Sequence, residues 1–464
     1  MTDKAQLMIA AAALTALPSL ASAQTPAPVD LLPPERDPRI ELQAPAPPAQ
    51  SPEAAAIQAE FDAAITRQLD PRIQTWSVAH AEKLVDAIQG MGAEGLDPAD
   101  YRLEALRAAM MGGSQSALDE AASQSFAWLV EDIRDGRTPM DARKQWFVFD
   151  PDADRYPTAR LMKEALASGD IADTLASVAP EHPDYALLRT ELASATPGSK
   201  RAQQIRANME RWRWLPRDLG SQYLMTNVPE YQLRLTVNDQ IISTYRTIVG
   251  KPGRTATPQL AEMVEGVIFN PNWTVPQSIV KGEGLGARVL NNPAWAKRKG
   301  YTAKRGANGW VSVVQQPGPG NALGLMKLDM PNKHAIFLHD TPSRGLFQRD
   351  DRALSHGCIR TERASELAIT MAILGAGLTG DEGVAHLTSR KYTKVGFTKK
   401  MPVYITYFTL GRDIDGNLAS FADIYGRDAP VIASLDAPRK ANRSRVTGEQ
   451  IIPIEDDPRQ IAIN

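Results

Sequence analysis

The 464-residue sequence predicts an α+β chain built from two unlike halves, and three observations predict it. Between residues 53 and 215 apolar side chains recur at helical spacing. Between 216 and 430 they alternate with polar ones in short runs, the period of half-buried strands. One basic stretch, about 276–310, interrupts that alternation without restoring either period. The expected organisation is therefore a helical N-terminal scaffold domain (53–215), a mainly β domain (216–430) carrying an inserted subdomain, and a flexible polar tail (431–464).

Composition narrows the classes of function. With 43% hydrophobic and 23% charged residues the chain is an ordinary globular sequence, and a net charge of −2 gives no general attraction to nucleic acid or acidic membranes. At the N-terminus Lys4 precedes an apolar run from Leu7 to Leu17, then the small-residue pattern Ala21-Ser22-Ala23. This reads as an export signal peptide over residues 1–23, cut after Ala23. The run is too short for a permanent membrane helix, and no later segment is long and apolar enough to span a membrane. Residues 24–52 hold nine prolines among alanine and polar residues and read as an extended linker. Export sharpens the meaning of Cys358, the only cysteine, because it has no partner for a structural disulfide. The expected location is outside the cytoplasmic membrane.

In the helical half, Leu84, Val85 and Ile88 share one face of a helix that Gly90 and Gly92 stop. Asp97-Pro98 opens the next element as N-cap and first-turn proline. Ser116–Ile133 gives another amphipathic helix, with Phe126, Leu129, Val130 and Ile133 at helical spacing, closed by Gly136. A helix from about Lys200 runs to Arg211-Trp212-Arg213-Trp214-Leu215-Pro216, whose tryptophans are read as packing at a domain boundary. Beyond Pro216, Tyr231–Val237 alternates cleanly and turns at Asn238-Asp239 into Ile241–Val249. Further strands are expected at Met263–Phe269, Val311–Gln315, Leu323–Leu328, Ala335–Leu338 and Val403–Phe408. The insert carries Lys281, Arg288, Lys297, Arg298, Lys299, Lys304 and Arg305 against one acid, Glu283. Such a run is either a solvated face or a mobile flap whose field attracts carboxylates.

Candidate chemistry collects in Ser355-His356-Gly357-Cys358-Ile359-Arg360 and in His339, nineteen residues before the cysteine. A cysteine attacks as thiolate and needs positive charge or a helix N-terminus nearby. The helix expected to start at Thr361 would supply the latter. Gly357 allows a sharp turn, and amides around Gly357 and Cys358 are candidate oxyanion donors. His356 and His339 compete as base, and spacing alone does not choose. No metal or other cofactor is expected: there is no HExxH pattern, one cysteine cannot build a zinc cluster, and His334 and His339 fall on opposite faces of a strand.

His339-Asp340, fourteen residues, then Ser355-His356-Gly357-Cys358-Ile359-Arg360 resembles the signature of the YkuD-type L,D-transpeptidases, which cross-link bacterial peptidoglycan. Asn270–Pro276, Pro317–Gly324, Thr341-Pro342, Leu346-Phe347, Met209–Pro216 and Glu94–Tyr101 resemble the long, scaffolded Gram-negative subgroup, so the resemblance covers most of residues 75–430. It implies that Cys358 attacks the bond between diaminopimelate and D-alanine in a tetrapeptide stem, forming an acyl-enzyme. His339 would be the base, the Asp340 carbonyl would orient its ring, and the Gly357 backbone would serve the oxyanion. Ser355, His356 and Arg360 would shape the pocket or hold substrate. A second stem's amine then completes a 3→3 cross-link in the periplasm, and carbapenems acylate the cysteine. The insert would be a capping subdomain. Three alternatives stay open: an L,D-carboxypeptidase, an enzyme attaching protein to peptidoglycan, and a non-catalytic wall-binding scaffold. The chain departs from the long relatives in one respect. Only Ala193–Ser199, seven residues, separate the scaffold from the tryptophan-rich helix, too few for a peptidoglycan-binding module.

Overall fold

The order of elements in the computed structural model follows the change of period near Pro216. It describes residues 73–148, 157–238, 240–306 and 309–441, with Thr447 and Glu449. The signal peptide, the linker and most of the expected tail lie outside the described residues.

The first half is helical: α1 (Val78–Gln89), α2 (Leu103–Met111), α3 (Gln115–Asp135), α4 (Thr158–Ser168), α5 (Ile171–Ala176) and α6 (Pro183–Ser194). Caps explain where they start. Ser77 accepts the His80 N–H at the head of α1, Ser114 that of Ala117 at α3, and Asp170 that of Asp173 at α5. The predicted apolar stripes meet in one core, with Leu84, Ile88, Phe126, Leu129 and Val130 fully buried around Trp76. Asp97-Pro98 opens a single 3₁₀ turn rather than a full helix. Helix α7 (Lys200–Arg213) follows α6 after five residues, 195–199, and forms the seam with the second half. Trp212 is stacked between His182 (4.1 Å) and Phe408 (4.6 Å), and Trp214 meets Trp146 edge-on at 4.9 Å. The tryptophan pair is packing, as expected.

The β half contains β1 (Gln222–Asn227), β2 (Gln232–Val237), β3 (Gln240–Gly250), β4 (Leu260–Phe269) and β5 (Trp273–Thr274). The interrupting segment has three short helices, α8 (Gln277–Gly282), α9 (Leu285–Asn291) and α10 (Pro293–Arg298), then β6 (Tyr301–Arg305) and β7 (Val311–Gln315). Next come β8 (Met326–Asp329), β9 (Leu338–His339), β10 (Ala353–Ser355), β11 (Ile359–Thr361), α11 (Ala364–Ala376), α12 (Gly380–Thr388) and β12 (Thr393–Thr406). The main sheet runs β10-β3-β11-β9-β8-β4-β12-β1-β2, and an added β2–β3 pairing closes it on itself. Most neighbours are antiparallel; β1–β12, β3–β10 and β9–β11 are parallel. Closure pairs the β2 edge that an open sheet of this width would leave exposed. Helix α11 packs its Leu367, Ala368 and Met371 into the sheet's core. The insert pairs β6 and β7 with β5 in a separate three-stranded sheet and has its own core of Val280, Leu285, Val289, Tyr301 and Val313. It is a folded subdomain. Among the described residues no helix is long and apolar enough to cross a membrane.

The expectation of a flexible tail from residue 431 needs correction. Helix α13 (Asp428–Asp436) buries Val431 and Leu435 against α7, and the chain continues onto the scaffold. There Arg439, 9% exposed, donates to Asp132 at 2.9 Å and Glu131 at 2.7 Å, and its guanidinium lies 4.4 Å over the Trp128 ring. Its N–H caps Asp100 at 2.8 Å, and Arg137 ties the Ala437 carbonyl at 2.8 Å. Polar composition suggested disorder, but the acids that fix this segment lie some 300 residues earlier in the chain. Because removing one partner strands buried charge, Arg439→Met should cost about 3 kcal/mol of stability in urea unfolding. A loss within 0.5 kcal/mol, roughly a surface change, would contradict that assignment.

Candidate active site

Strand register brings the predicted nucleophile and base together. β11 runs parallel to β9, pairing Ile359 with Leu338 and Arg360 with His339, and the Ile359 N–H extends the ladder to the Phe337 carbonyl at 2.9 Å. Since side chains alternate, Cys358 and Arg360 on one strand share a face with Phe337 and His339 on the other. β8 adds Lys327, which pairs with His339, and its ammonium sits 3.4 Å from the Phe337 ring centroid. Cys358 thus has two cations, Lys327 and Arg360, near enough to act on its thiol. Lys327 and Phe337 were not singled out in the sequence, where Lys327 is one more polar residue of a strand; only the register shows its neighbours.

His339 is 5% exposed. Its Nδ1 lies 2.6 Å from the Asp340 carbonyl, which can only accept, so Nδ1 carries the proton and Nε2 is a bare acceptor. Burial, and then the nearby Arg360, pull its pKa from 6.5 down to about 3, so the resting imidazole is neutral. Asp340 is itself anchored. Its side chain accepts the Leu325 N–H at 2.9 Å and packs on Gly324, whose φ of 62° and lack of Cβ admit the carboxylate where a side chain would collide.

Cys358 is partly exposed, yet burial of the sulfur's surroundings raises its pKa above the ordinary 9.0, opposed by a backbone hydrogen bond from Phe337 and by Lys327 and Arg360. The thiol donates to the Ala335 carbonyl at 3.6 Å. A protonated thiol facing a neutral imidazole requires proton transfer during attack rather than a preformed ion pair. The helix expected to lower the thiol's pKa starts only at Ala364, because Ile359–Thr361 is taken into the sheet as β11. Helix-dipole assistance is therefore replaced by side-chain cations.

The remaining candidates separate. The Gly357 N–H, expected as an oxyanion donor, is engaged by Ser355 Oγ at 3.1 Å. Ser355 Oγ in turn donates to the Cys358 carbonyl at 2.6 Å, and its own carbonyl accepts from the Lys251 N–H at 3.0 Å. With 2% exposure, Ser355 staples the loop through both hydroxyl bonds. Gly357 keeps its conformational role at φ 120°. Among the described residues, the Cys358 N–H meets no acceptor. His356 faces Glu283, the insert's single acid, with Nε2 3.7 Å from Oε1. The insert therefore sits beside the loop that holds Cys358, its seven cations exposed and two of them stacked: Lys281 on Trp310 at 5.3 Å and Arg288 on Trp295 at 4.2 Å.

Residues 221–405 match the YkuD family, described as the L,D-transpeptidase catalytic domain, and residues 74–192 match the Scaffold domain. A provisionally named L,D-transpeptidase of Haemophilus influenzae is 30% identical over 285 residues, 58% of this chain and 57% of that protein. The chain thus spans little more than half the length of that curated relative. Among solved structures, an L,D-transpeptidase of Mycobacterium smegmatis overlaps with a TM-score of 0.20 at 12% identity, covering 40% of this chain and 58% of its own. A mutant Enterococcus faecium L,D-transpeptidase overlaps at 0.22 and 12% identity, covering 41% and 52%. Overlaps this low carry no argument. The two family matches fall on the sheet that holds Cys358 and His339 and on the helices that brace it, and so the chain carries a YkuD-family L,D-transpeptidase catalytic domain joined to a Scaffold domain.

Proposed function

We propose that the chain is a periplasmic L,D-transpeptidase that forms 3→3 diaminopimelate cross-links between peptidoglycan tetrapeptide stems through a Cys358 acyl-enzyme. The observation that carries the reading is the shared face of Cys358 and His339, with the imidazole held as the tautomer that accepts at Nε2. Cys358 Sγ attacks the carbonyl joining diaminopimelate to D-alanine while its proton passes to His339 Nε2. The carbonyl oxygen becomes an oxyanion and takes the Cys358 N–H. Collapse breaks the C–N bond, the imidazolium protonates the departing amine, and D-alanine leaves. The amine of a second stem attacks the thioester, gives its proton to His339, and releases the thiolate, which is reprotonated. The exposed cations of the insert, beside the loop that holds the nucleophile, suit the carboxylates that both stems carry.

Incubation with purified disaccharide-tetrapeptide tests this. Released D-alanine, an acyl adduct on Cys358 and a dimer linked through two diaminopimelates are the expected products. Release of D-alanine with tripeptide alone would make the chain a carboxypeptidase. Turnover only when a protein amine is supplied would make it a protein-attaching enzyme. No adduct and no release would leave a wall-binding scaffold.

A further inference from the structure

The Cys358 N–H can serve an oxyanion only if the Gly357–Cys358 peptide is turned the right way round. A glycine at φ 120° does not hold that plane by itself, because its backbone adopts both signs of φ without a Cβ penalty. A trans peptide holds its C=O and N–H in one rigid plane, pointing in opposite directions, so whatever grips the Gly357 oxygen aims the Cys358 N–H.

Thr257, fully buried in the segment between β3 and β4, makes that grip: its Oγ1 lies 2.8 Å from the Gly357 carbonyl. The direction of the bond is determined. The Gly250 N–H donates to the same Oγ1 at 2.9 Å, so the hydroxyl hydrogen is left for the carbonyl. The hydroxyl is braced from behind. Tyr425 OH accepts the Thr257 N–H at 3.2 Å and donates to the Gly250 carbonyl at 2.6 Å. Arg427 lies over the Tyr425 and Tyr407 rings at 4.8 and 4.9 Å and reaches the Thr257 carbonyl at 3.4 Å. The same guanidinium bonds Gln259 and Gln145, and Gln145 belongs to the stretch that carries the first half of the chain onto β4 through the Trp146–Gln259 bridge. At the other end of the loop, Ser355 Oγ holds the Gly357 N–H. Both peptide groups that flank Gly357 are thereby restrained, and the Cys358 N–H is directed away from Thr257, to the side where it meets no acceptor among the described residues.

We infer that Thr257 is a positioning residue for acyl transfer, its hydroxyl orienting the Gly357–Cys358 peptide so that the Cys358 N–H faces the developing oxyanion, with Tyr425 and Arg427 linking that orientation to the junction with the scaffold. The inference rests on the acyl-enzyme reading above. It separates two properties of the cysteine. Alkylation of the thiol forms no oxyanion and should be indifferent to Thr257, whereas acylation should depend on it.

The full chain is compared with Thr257→Val, which keeps the shape but not the hydroxyl, and Thr257→Ser, which keeps the hydroxyl. Two reagents are used: imipenem for acylation, followed by intact mass, and iodoacetamide for alkylation. For Thr257→Val the expected result is an acylation rate constant lower by about 10²-fold, the scale of losing one oxyanion donor. Its alkylation should stay within about threefold of wild type, and Thr257→Ser should recover most of the acylation. Acylation of Thr257→Val at the wild-type rate, or equal losses in both reactions, would overturn the positioning role. A wild-type chain that alkylates but never acylates would instead overturn the acyl-transfer reading itself. Should Thr257→Val fail to fold, Tyr425→Phe leaves the hydroxyl in place and removes only its brace; a loss of about tenfold confined to acylation is expected, by the same argument in weaker form. No loss would overturn the proposal.

Discussion

Cys358→Ala is expected to abolish acyl transfer while leaving a folded protein. The side chain is partly exposed, and it is held only by backbone contacts, a 3.6 Å one to the Ala335 carbonyl and one from Phe337, so truncation opens no deep cavity. What disappears is the atom that forms the thioester, and no other cysteine exists to replace it. Activity on disaccharide-tetrapeptide should fall by more than about 10⁴-fold, the scale seen when a covalent nucleophile is removed and only binding and oxyanion contacts remain. Intact mass spectrometry provides the direct reading. The wild type should gain the acyl mass and, separately, the mass of a carbapenem, and the variant neither. An adduct of equal yield on Cys358→Ala would refute the nucleophile assignment.

The second large effect belongs to the base. His339→Gln should lower kcat by about 10³-fold, within the range for general acid–base catalysis, whereas His356→Ala should cost less than about tenfold because its ring faces Glu283 across the loop. The reverse ranking would show that the wrong imidazole had been chosen. The pH dependence adds a second, independent check. As the proposed base His339 acts in its neutral form, and its pKa is drawn down from 6.5 to about 3 by burial and by Arg360. The neutral form therefore persists far below pH 6.5, and kcat/KM should show no acid limb near 6.5 from this group. Stability responds to the same shift with a definite sign. The unfolded chain takes up a proton near pH 6.5 that the folded chain refuses until about 3, so stability falls as pH drops through that window. His339→Gln should flatten this part of the stability profile, measured by urea unfolding at several pH values. An unchanged slope would show that another group causes it.

How much of this was legible beforehand varies from element to element. β7 appears where alternation placed it, Val311–Gln315, and β2 within one residue of it, because a half-buried strand writes its period into the sequence. β1, Gln222–Asn227, was missed: five of its six residues are buried, so there is no alternation to read. β6 and the short helices of the insert were missed for a different reason. Their small core is assembled from single apolar residues scattered among exposed cations. The helix expected at Thr361 begins three residues later, since pairing with β3 and β9 claims Ile359–Thr361 first. In the site, Cys358 and His339 could be named from residue type and motif. The roles of Ser355 and of the Gly357 N–H could not, because a hydroxyl two residues from an amide does not announce which group it will bind.

By itself the sequence determined the chemistry available to this protein: one cysteine, a histidine at the motif's spacing, a change of period near Pro216 and a basic insert holding a single acid. These are local properties, carried by residue type and short-range periodicity. Tertiary structure alone decided which groups meet. The parallel pairing of β9 with β11 puts His339 and Cys358 on one face, and the Lys327–His339 register adds a cation there. Thr257 reaches the Gly357 carbonyl from 100 residues away, and Arg439 finds its acids more than 300 residues back. Such contacts depend on how a closed sheet aligns its strands and on how buried charges find partners. Both are settled only when the whole chain packs, because a hydrogen bond or ion pair between distant segments leaves no period in either one.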